Sequence, residues 1–152
     1  GDTALVDGPF GRFSYTLHPG ERELVFVAGG IGITPLMSML RHIRDTRADR
    51  SVTLIYANNT ESDIVFHDEL AEMERGGAIA LKVVHVLDKP PEAWLGERGR
   101  LDDGMIKRLS GPDLTSRAFY VCAPPQLLTL TLRALRSAGV SAAHIHFERF
   151  NL

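Results

Sequence analysis

Short apolar runs alternate along the chain with stretches in which apolar residues recur every three or four positions. That alternation is the pattern of strands joined by crossover helices into a mainly parallel sheet. Leu24 to Ala28 reads as a buried strand; behind it Leu36, Leu40 and Ile43 recur at helical spacing, leaving Arg41, Arg44 and Arg47 on the wet side. Val52 to Ala57 is a second strand. Phe66, Leu70 and Met73 mark a second helix, which Thr60, Ser62 or Asp63 can cap and Gly76-Gly77 can stop. A third strand, Ala80 to Leu87, leads into a polar stretch through Pro90-Pro91, Gly96 and Gly99, with a short helix from Asp103 to Leu109. Ala118 to Cys122 is a fourth strand, Leu128, Leu132 and Leu135 a further amphipathic helix ended by Gly139, and His144 to Phe150 the last strand.

The expected fold is therefore α/β, a doubly wound parallel sheet of five principal strands with helices on both faces. Ala4 to Tyr15 stands outside the rhythm and reads as a hairpin-like tail of a preceding β domain. A boundary near His18 to Arg22 follows, with residues 1–20 a remnant and linker and 21–152 the main domain. The opening Gly1-Asp2-Thr3-Ala4-Leu5-Val6 resembles the middle of a strand, so the chain reads as a fragment.

Composition narrows the function. At 152 residues the chain accommodates one core. Its 17 basic and 19 acidic residues leave a net charge of −2, which argues against nucleic acid or a membrane surface as partner. Cys122 is the single cysteine, so neither an intrachain disulfide nor a Cys-ligated cluster can form, and a reducing, cytoplasmic setting fits. The uncharged run from Glu23 to Arg41 is too short and too broken by glycines to span a bilayer, leaving any membrane link to parts beyond this sequence.

The informative turn is Val27-Ala28-Gly29-Gly30-Ile31-Gly32-Ile33-Thr34-Pro35, between the first strand and its helix. Backbone without Cβ atoms can turn tightly and approach a diphosphate, while free N–H groups and the positive helix end attract its charge. Thr34 is the expected N-cap and Pro35 suits the first helical turn. The pattern departs from the usual dinucleotide fingerprint and carries no P-loop Lys-Ser/Thr, so kinase and ATPase readings lose. The alternative is a turn whose glycines serve close packing only.

Four motifs in register carry a resemblance: Gly8-Pro9-Phe10-Gly11, Ala28 to Pro35, Cys122-Ala123-Pro124-Pro125 and Phe147-Glu148-Arg149-Phe150. Together they resemble the ferredoxin-NADP+ reductase superfamily, in the flavour of oxygenase reductases and of ferric-reductase or NADPH-oxidase-like flavoproteins. The resemblance implies a strand order 3-2-1-4-5 and a partner, an upstream barrel of the same polypeptide holding FAD or FMN. Hydride would pass from NAD(P)H to that flavin, and electrons would leave singly to an iron-sulfur cluster, heme or ferric iron. The barrel's flavin-phosphate motif, Arg-x-Tyr-Ser/Thr, is missing, since Arg12-Phe13-Ser14-Tyr15 does not match it, so flavin is not expected to bind this fragment.

The same resemblance implies the site. Gly29, Gly30, Ile31, Gly32, Thr34 and Pro35 would meet the diphosphate, and Asn58, Asn59 and Asp63 the adenosine. Cys122 would lie beside the nicotinamide, followed by Ala123, Pro124 and Pro125, with Glu148 and Phe150 closing the junction with the flavin. Cys122 and Glu148 are the candidate catalytic residues, the first for positioning, the second as a proton relay. Ala123 replaces the family's usual glycine, and its methyl group is expected to crowd the nucleotide. Many relatives carry a basic residue where Asn59 stands, so NADH is favoured over NADPH. No metal is expected: of six histidines only His144 and His146 were placed to share a strand face, and nothing completes their ligand set. A different class, a nucleotide-sensing or electron-transfer interaction module without its own flavin reduction, is the alternative.

Overall fold

A computed structural model describes residues 3–5 and 11–149. The elements in chain order are β1 (Glu23–Gly29), α1 (Ile33–Thr46), β2 (Ser51–Asn58), α2 (His67–Gly76), β3 (Ala80–Leu87), β4 (Glu97–Arg98), α3 (Asp103–Leu109), β5 (Ala118–Cys122), α4 (Pro125–Ser137) and β6 (Ile145–Glu148). All strands run parallel in one six-stranded sheet of order β4-β3-β2-β1-β5-β6.

Burial on both faces explains why β1 is a continuous apolar run rather than an alternating one. Leu24, Phe26 and Ala28 face one core layer, with Leu36, Leu40 and Ile43 of α1 and Leu70 and Met73 of α2. Val25 and Val27 face the other, with Ile106 and Leu109 of α3 and Leu128, Leu132 and Leu135 of α4. Across the first layer Arg41 grips Glu69 with two hydrogen bonds of 2.8 and 2.7 Å, joining α1 to α2 and holding the Glu69 carboxyl below its ordinary range.

The five principal strands keep the expected order, and β4 is a sixth beyond it. It pairs through Val86↔Glu97 and Leu87↔Arg98. Two residues carry no period that a sequence could reveal. Side chains hold it instead: Glu97 takes two bonds from Arg108 at 2.9 and 2.8 Å, and its carbonyl accepts from the Trp94 indole at 3.1 Å.

Three local expectations need correction. α1 starts at Ile33 after Gly32, so Thr34 is its second residue and not its N-cap. The residues Thr60 and Asp63 form a capping box, but around the 3-10 turn Glu61–Asp63, while α2 begins later at His67. Phe66 separates the two with a left-handed backbone, φ 61°, and so precedes the helix it was expected to join. Where the tail read as Ala4 to Tyr15 ends, a 3-10 turn, Tyr15–Leu17, begins, pinned by Tyr15 OH to His42 Nδ1 at 2.6 Å. Gly8, Pro9 and Phe10 lie outside the described residues. No helix among those described is long and apolar enough to cross a membrane.

Candidate functional site

β1 is central, and its neighbours β2 and β5 are reached by crossovers that leave it on opposite sides. At the end of β1, Ala28 lies opposite Tyr56 in β2 and Cys122 in β5. Ligands gather in the crevice beyond the carboxyl ends of strands at such a switch point. Here the chain leaves β1 at Gly29, passes a 3-10 turn, Gly30–Gly32, and enters α1. The first N–H groups of such a turn have no partner within the helix, and the helix dipole adds positive potential there.

The three glycines do different work. Gly30 has φ +50°, and a Cβ added there would meet nothing within 4 Å, so the backbone favours glycine and the space beside it is open. At Gly32 an added Cβ would stand 2.0 Å from the Cys122 carbonyl oxygen. At Gly29 it would stand 2.7 Å from Cδ of Pro124 and 2.9 Å from Cδ2 of Leu127. Gly32 and Gly29 thus let α1 and α4 close onto the strand ends, and open backbone is confined to Gly30. The Thr34 hydroxyl donates to the Ile31 carbonyl at 3.0 Å and leaves only its oxygen lone pairs free.

A cleft of about 730 Å³ opens at this edge. Of the residues singled out from sequence, Gly29, Gly30, Ile31, Asn58, Asn59, Asp63 and Pro124 line it; Gly32, Thr34, Pro35, Cys122, Ala123, Pro125 and Glu148 do not. Phe150 lies outside the described residues. Sequence reasoning missed Asp88, Arg100, Asp102 and Gln126, which complete the polar wall. Asp88 was within reach of the rule already used, since it directly follows β3. The segment after β4 gave no such signal.

Two polar side chains stand out. Asn58 is 9% exposed, and neither Oδ1 nor Nδ2 of its carboxamide makes a hydrogen bond of good geometry among the described residues, although the Tyr56 hydroxyl is near enough to feel it. An unpaired buried amide is costly, so it marks a place completed by a ligand or by water. Asp63 accepts from the Thr60 hydroxyl at 2.7 Å and the Thr60 N–H at 2.9 Å, all through Oδ2, and these bonds hold its carboxyl below the usual range. The cleft wall carries Asp63, Asp88 and Asp102 against the single cation Arg100, which Asp88 already engages at 3.1 Å.

Cys122 ends β5 fully buried, opposite Glu148 of β6. Burial, with Glu148 nearby, pushes its thiol up to about 11, so it is neutral near pH 7 and unsuited to nucleophilic chemistry. Ala123 is also buried, and a Cβ added at Gly29 would stand 3.1 Å from its methyl group. Pro125 is the first residue of α4, where its missing N–H costs nothing. The native thiol is expected to resist a disulfide-exchange reagent at about pH 8 and to react fully once the chain is denatured. Because the folded value is raised, the stability tied to the neutral thiol is intact below 9.0 and is lost as pH climbs through about 11, which alkaline denaturation curves of Cys122→Ala and the parent would reveal.

A parallel sheet wound both ways from β1, a glycine turn opening a helix and a cleft at the switch point define a dinucleotide-binding α/β domain. The family model of the oxidoreductase NAD-binding domain matches residues 26–132, and the chain belongs to that family. It is 34% identical over 152 residues to the glycine betaine monooxygenase reductase subunit of Chromohalobacter salexigens, covering 99% of this chain and 41% of that protein. Against NADH-cytochrome b5 reductase 2 of Mus musculus it is 35% identical over 145 residues, covering 84% and 52%. The chain thus spans about half the length of these relatives or less. Among solved structures, the Amycolatopsis cytochrome P450 reductase GcoB superposes with a TM-score of 0.79 at 23% identity, covering 94% of this chain and 42% of that one. The CS-b5R domains of human Ncb5or, in their NAD+ form, give 0.78 at 24%, covering 93% and 39%, and both share the fold.

Proposed function

We propose that this chain holds NADH for a flavoprotein reductase whose flavin sits on a separate domain of the same polypeptide, the electrons then leaving to an iron-sulfur, heme or ferric acceptor. The observation that carries it is the open backbone at Gly30 beside the unpartnered Asn58 carboxamide in one cleft. Both fit a dinucleotide: the first N–H groups of the turn and the α1 dipole would grip the diphosphate, and the amide of Asn58 would bond the adenosine side. NADH, when bound, supplies a hydride. The chain's own residues position it and protect it. Cys122, neutral and buried, would support the strand end beneath the reacting ring, and Glu148 would hold or pass a proton at its carboxylate. No residue here is assigned to flavin.

Coenzyme choice follows from charge. An acid at Asp63, with the second oxygen of its carboxylate uncommitted, suits a free 2′-hydroxyl, and the residues from Ala57 to Asp63 include no cation for a 2′-phosphate. Calorimetric titration is expected to show NADPH binding at least ~10-fold more weakly than NADH. Gly30→Ala, which adds a methyl group to open space, is expected to weaken NADH about 5-fold while leaving the fold intact. Undiminished affinity in that variant would remove the assigned cleft. Joined to a flavin-binding barrel, the parent chain should support bleaching of the flavin by NADH.

A further inference from the structure

At the other end of the sheet, three ligand-type side chains converge that the dinucleotide does not use. Glu21, just before β1, accepts from Tyr120 OH at 2.6 Å through Oε2 and pairs through Oε1 with His146 Nε2 at 2.8 Å. His18 closes the turn Tyr15–Leu17, and its ring lies over that of His146 with centroids 4.0 Å apart. One donor atom from each of His18, Glu21 and His146 falls within 4.8 Å of the other two. His144, expected to share a strand face with His146, belongs instead to the 3-10 turn Ala142–His144, before β6 begins.

We propose that His18, Glu21 and His146 form a binding site for a divalent cation of the zinc class. Two imidazoles and a carboxylate are the donors of borderline metals, whereas calcium and magnesium demand oxygen. Bonds of about 2.0–2.2 Å place donors roughly 3.3 Å apart, so the His18 ring has to swing inward by up to ~1.5 Å. His18 is half-exposed in the short segment before β1, and its ring would leave the stack on His146 to make that swing. Glu21 Oε1 and His146 Nε2, their side chains only 11% and 15% exposed, now share a hydrogen bond of 2.8 Å and would part by roughly 0.5 Å as the ion takes the place of the shared proton. The Tyr120 hydroxyl orients the carboxylate from behind, as outer hydrogen bonds do around metal ligands.

A hollow of about 700 Å³, lined by His18, Glu21 and His144, provides entry and room for a water ligand at the fourth position. Glu21, Tyr120 and His146 satisfy one another by hydrogen bonds, and His18 adds a further ligand-type side chain that joins them only by stacking on His146. A bound ion would staple the segment before β1 to the last strand, across 125 residues of sequence.

The test is titration of the chelator-treated chain with Co2+, read by visible absorption, followed by Zn2+ competition. One saturable equivalent displaced by Zn2+ is expected, with Tm raised by about 5 °C or more at saturating Zn2+ and unmoved by Mg2+. His18→Ala and His146→Ala should each weaken Co2+ at least ~100-fold and Tyr120→Phe about 10-fold, while His144→Ala should change nothing. His18 is outside the core, so that variant folds and decides the matter alone; circular dichroism checks it. Absence of the band in the parent chain, or a band that survives His18→Ala, overturns the site.

Discussion

Gly32→Ala is expected to lower Tm by roughly 6–12 °C and to abolish measurable NADH binding. The added Cβ would lie 2.0 Å from the carbonyl oxygen of Cys122 and 2.6 Å from its carbon. Neither partner is a flexible side chain: one is the opening of α1 and the other is the end of β5, paired on both sides by β1 and β6. Overpacking costs about 1–3 kcal/mol where side chains can adjust, and a clash between two fixed backbones belongs at or above the top of that range. For a domain of this size ~3 kcal/mol corresponds to the stated fall in Tm. Relief comes from tilting the turn, which re-aims the amides at Gly30 to Gly32. Scanning calorimetry and NADH titration check both effects. A Tm within 2 °C of the parent would show that the helix does not rest on Cys122, and the contrast with Gly30→Ala, mild in stability, separates packing glycine from binding glycine.

Asn58→Leu should move stability and binding in opposite directions. A structural asparagine would lose stability on removal, because its partners would be orphaned. Asn58 has none of good geometry among the described residues, so leucine of similar volume removes a buried, unpaid amide and is expected to raise stability of the ligand-free chain by about 1–2 kcal/mol. NADH binding should weaken about 10-fold or more, since a hydrogen bond to a desolvated amide is worth ~1.5 kcal/mol. A lower Tm, or unchanged affinity, would remove Asn58 from the site. Strain or unsatisfied polarity kept for function, and released by mutation, is the common form of the exchange between stability and activity.

How far the sequence alone reaches depends on the distance over which each feature is decided. The helices of the two layers were legible because each repeats a local period of 3.6 residues against a core, and the central strands because each is a short unbroken apolar run between turns. α3 was legible down to its ends, since Asp102 caps it through Met105 N–H at 2.8 Å within three residues. Gly32 shows the limit. Its glycine character was plain, but its reason, the carbonyl of Cys122, lies ninety positions away. Thr60, Ser62 and Asp63 read as possible caps of α2, but Thr60 and Asp63 close a capping box around the 3-10 turn before it, because the left-handed Phe66 interrupts the path to α2. β4 and the meeting of His18, Glu21 and His146 have no local signature at all.

The central place of β1 also bears on how the chain folds as it is made. Its partner on one side, β2, follows at once, but the other, β5, emerges only after β2, β3, β4 and three helices have been synthesised. Until then one full edge of β1 has unpaired amides and carbonyls, beside valines and a phenylalanine that the finished protein hides completely. Such an edge is a template for pairing with another chain. The nascent protein is therefore most prone to aggregation in the interval before Ala118 leaves the ribosome, and a product truncated ahead of that residue carries the hazard permanently.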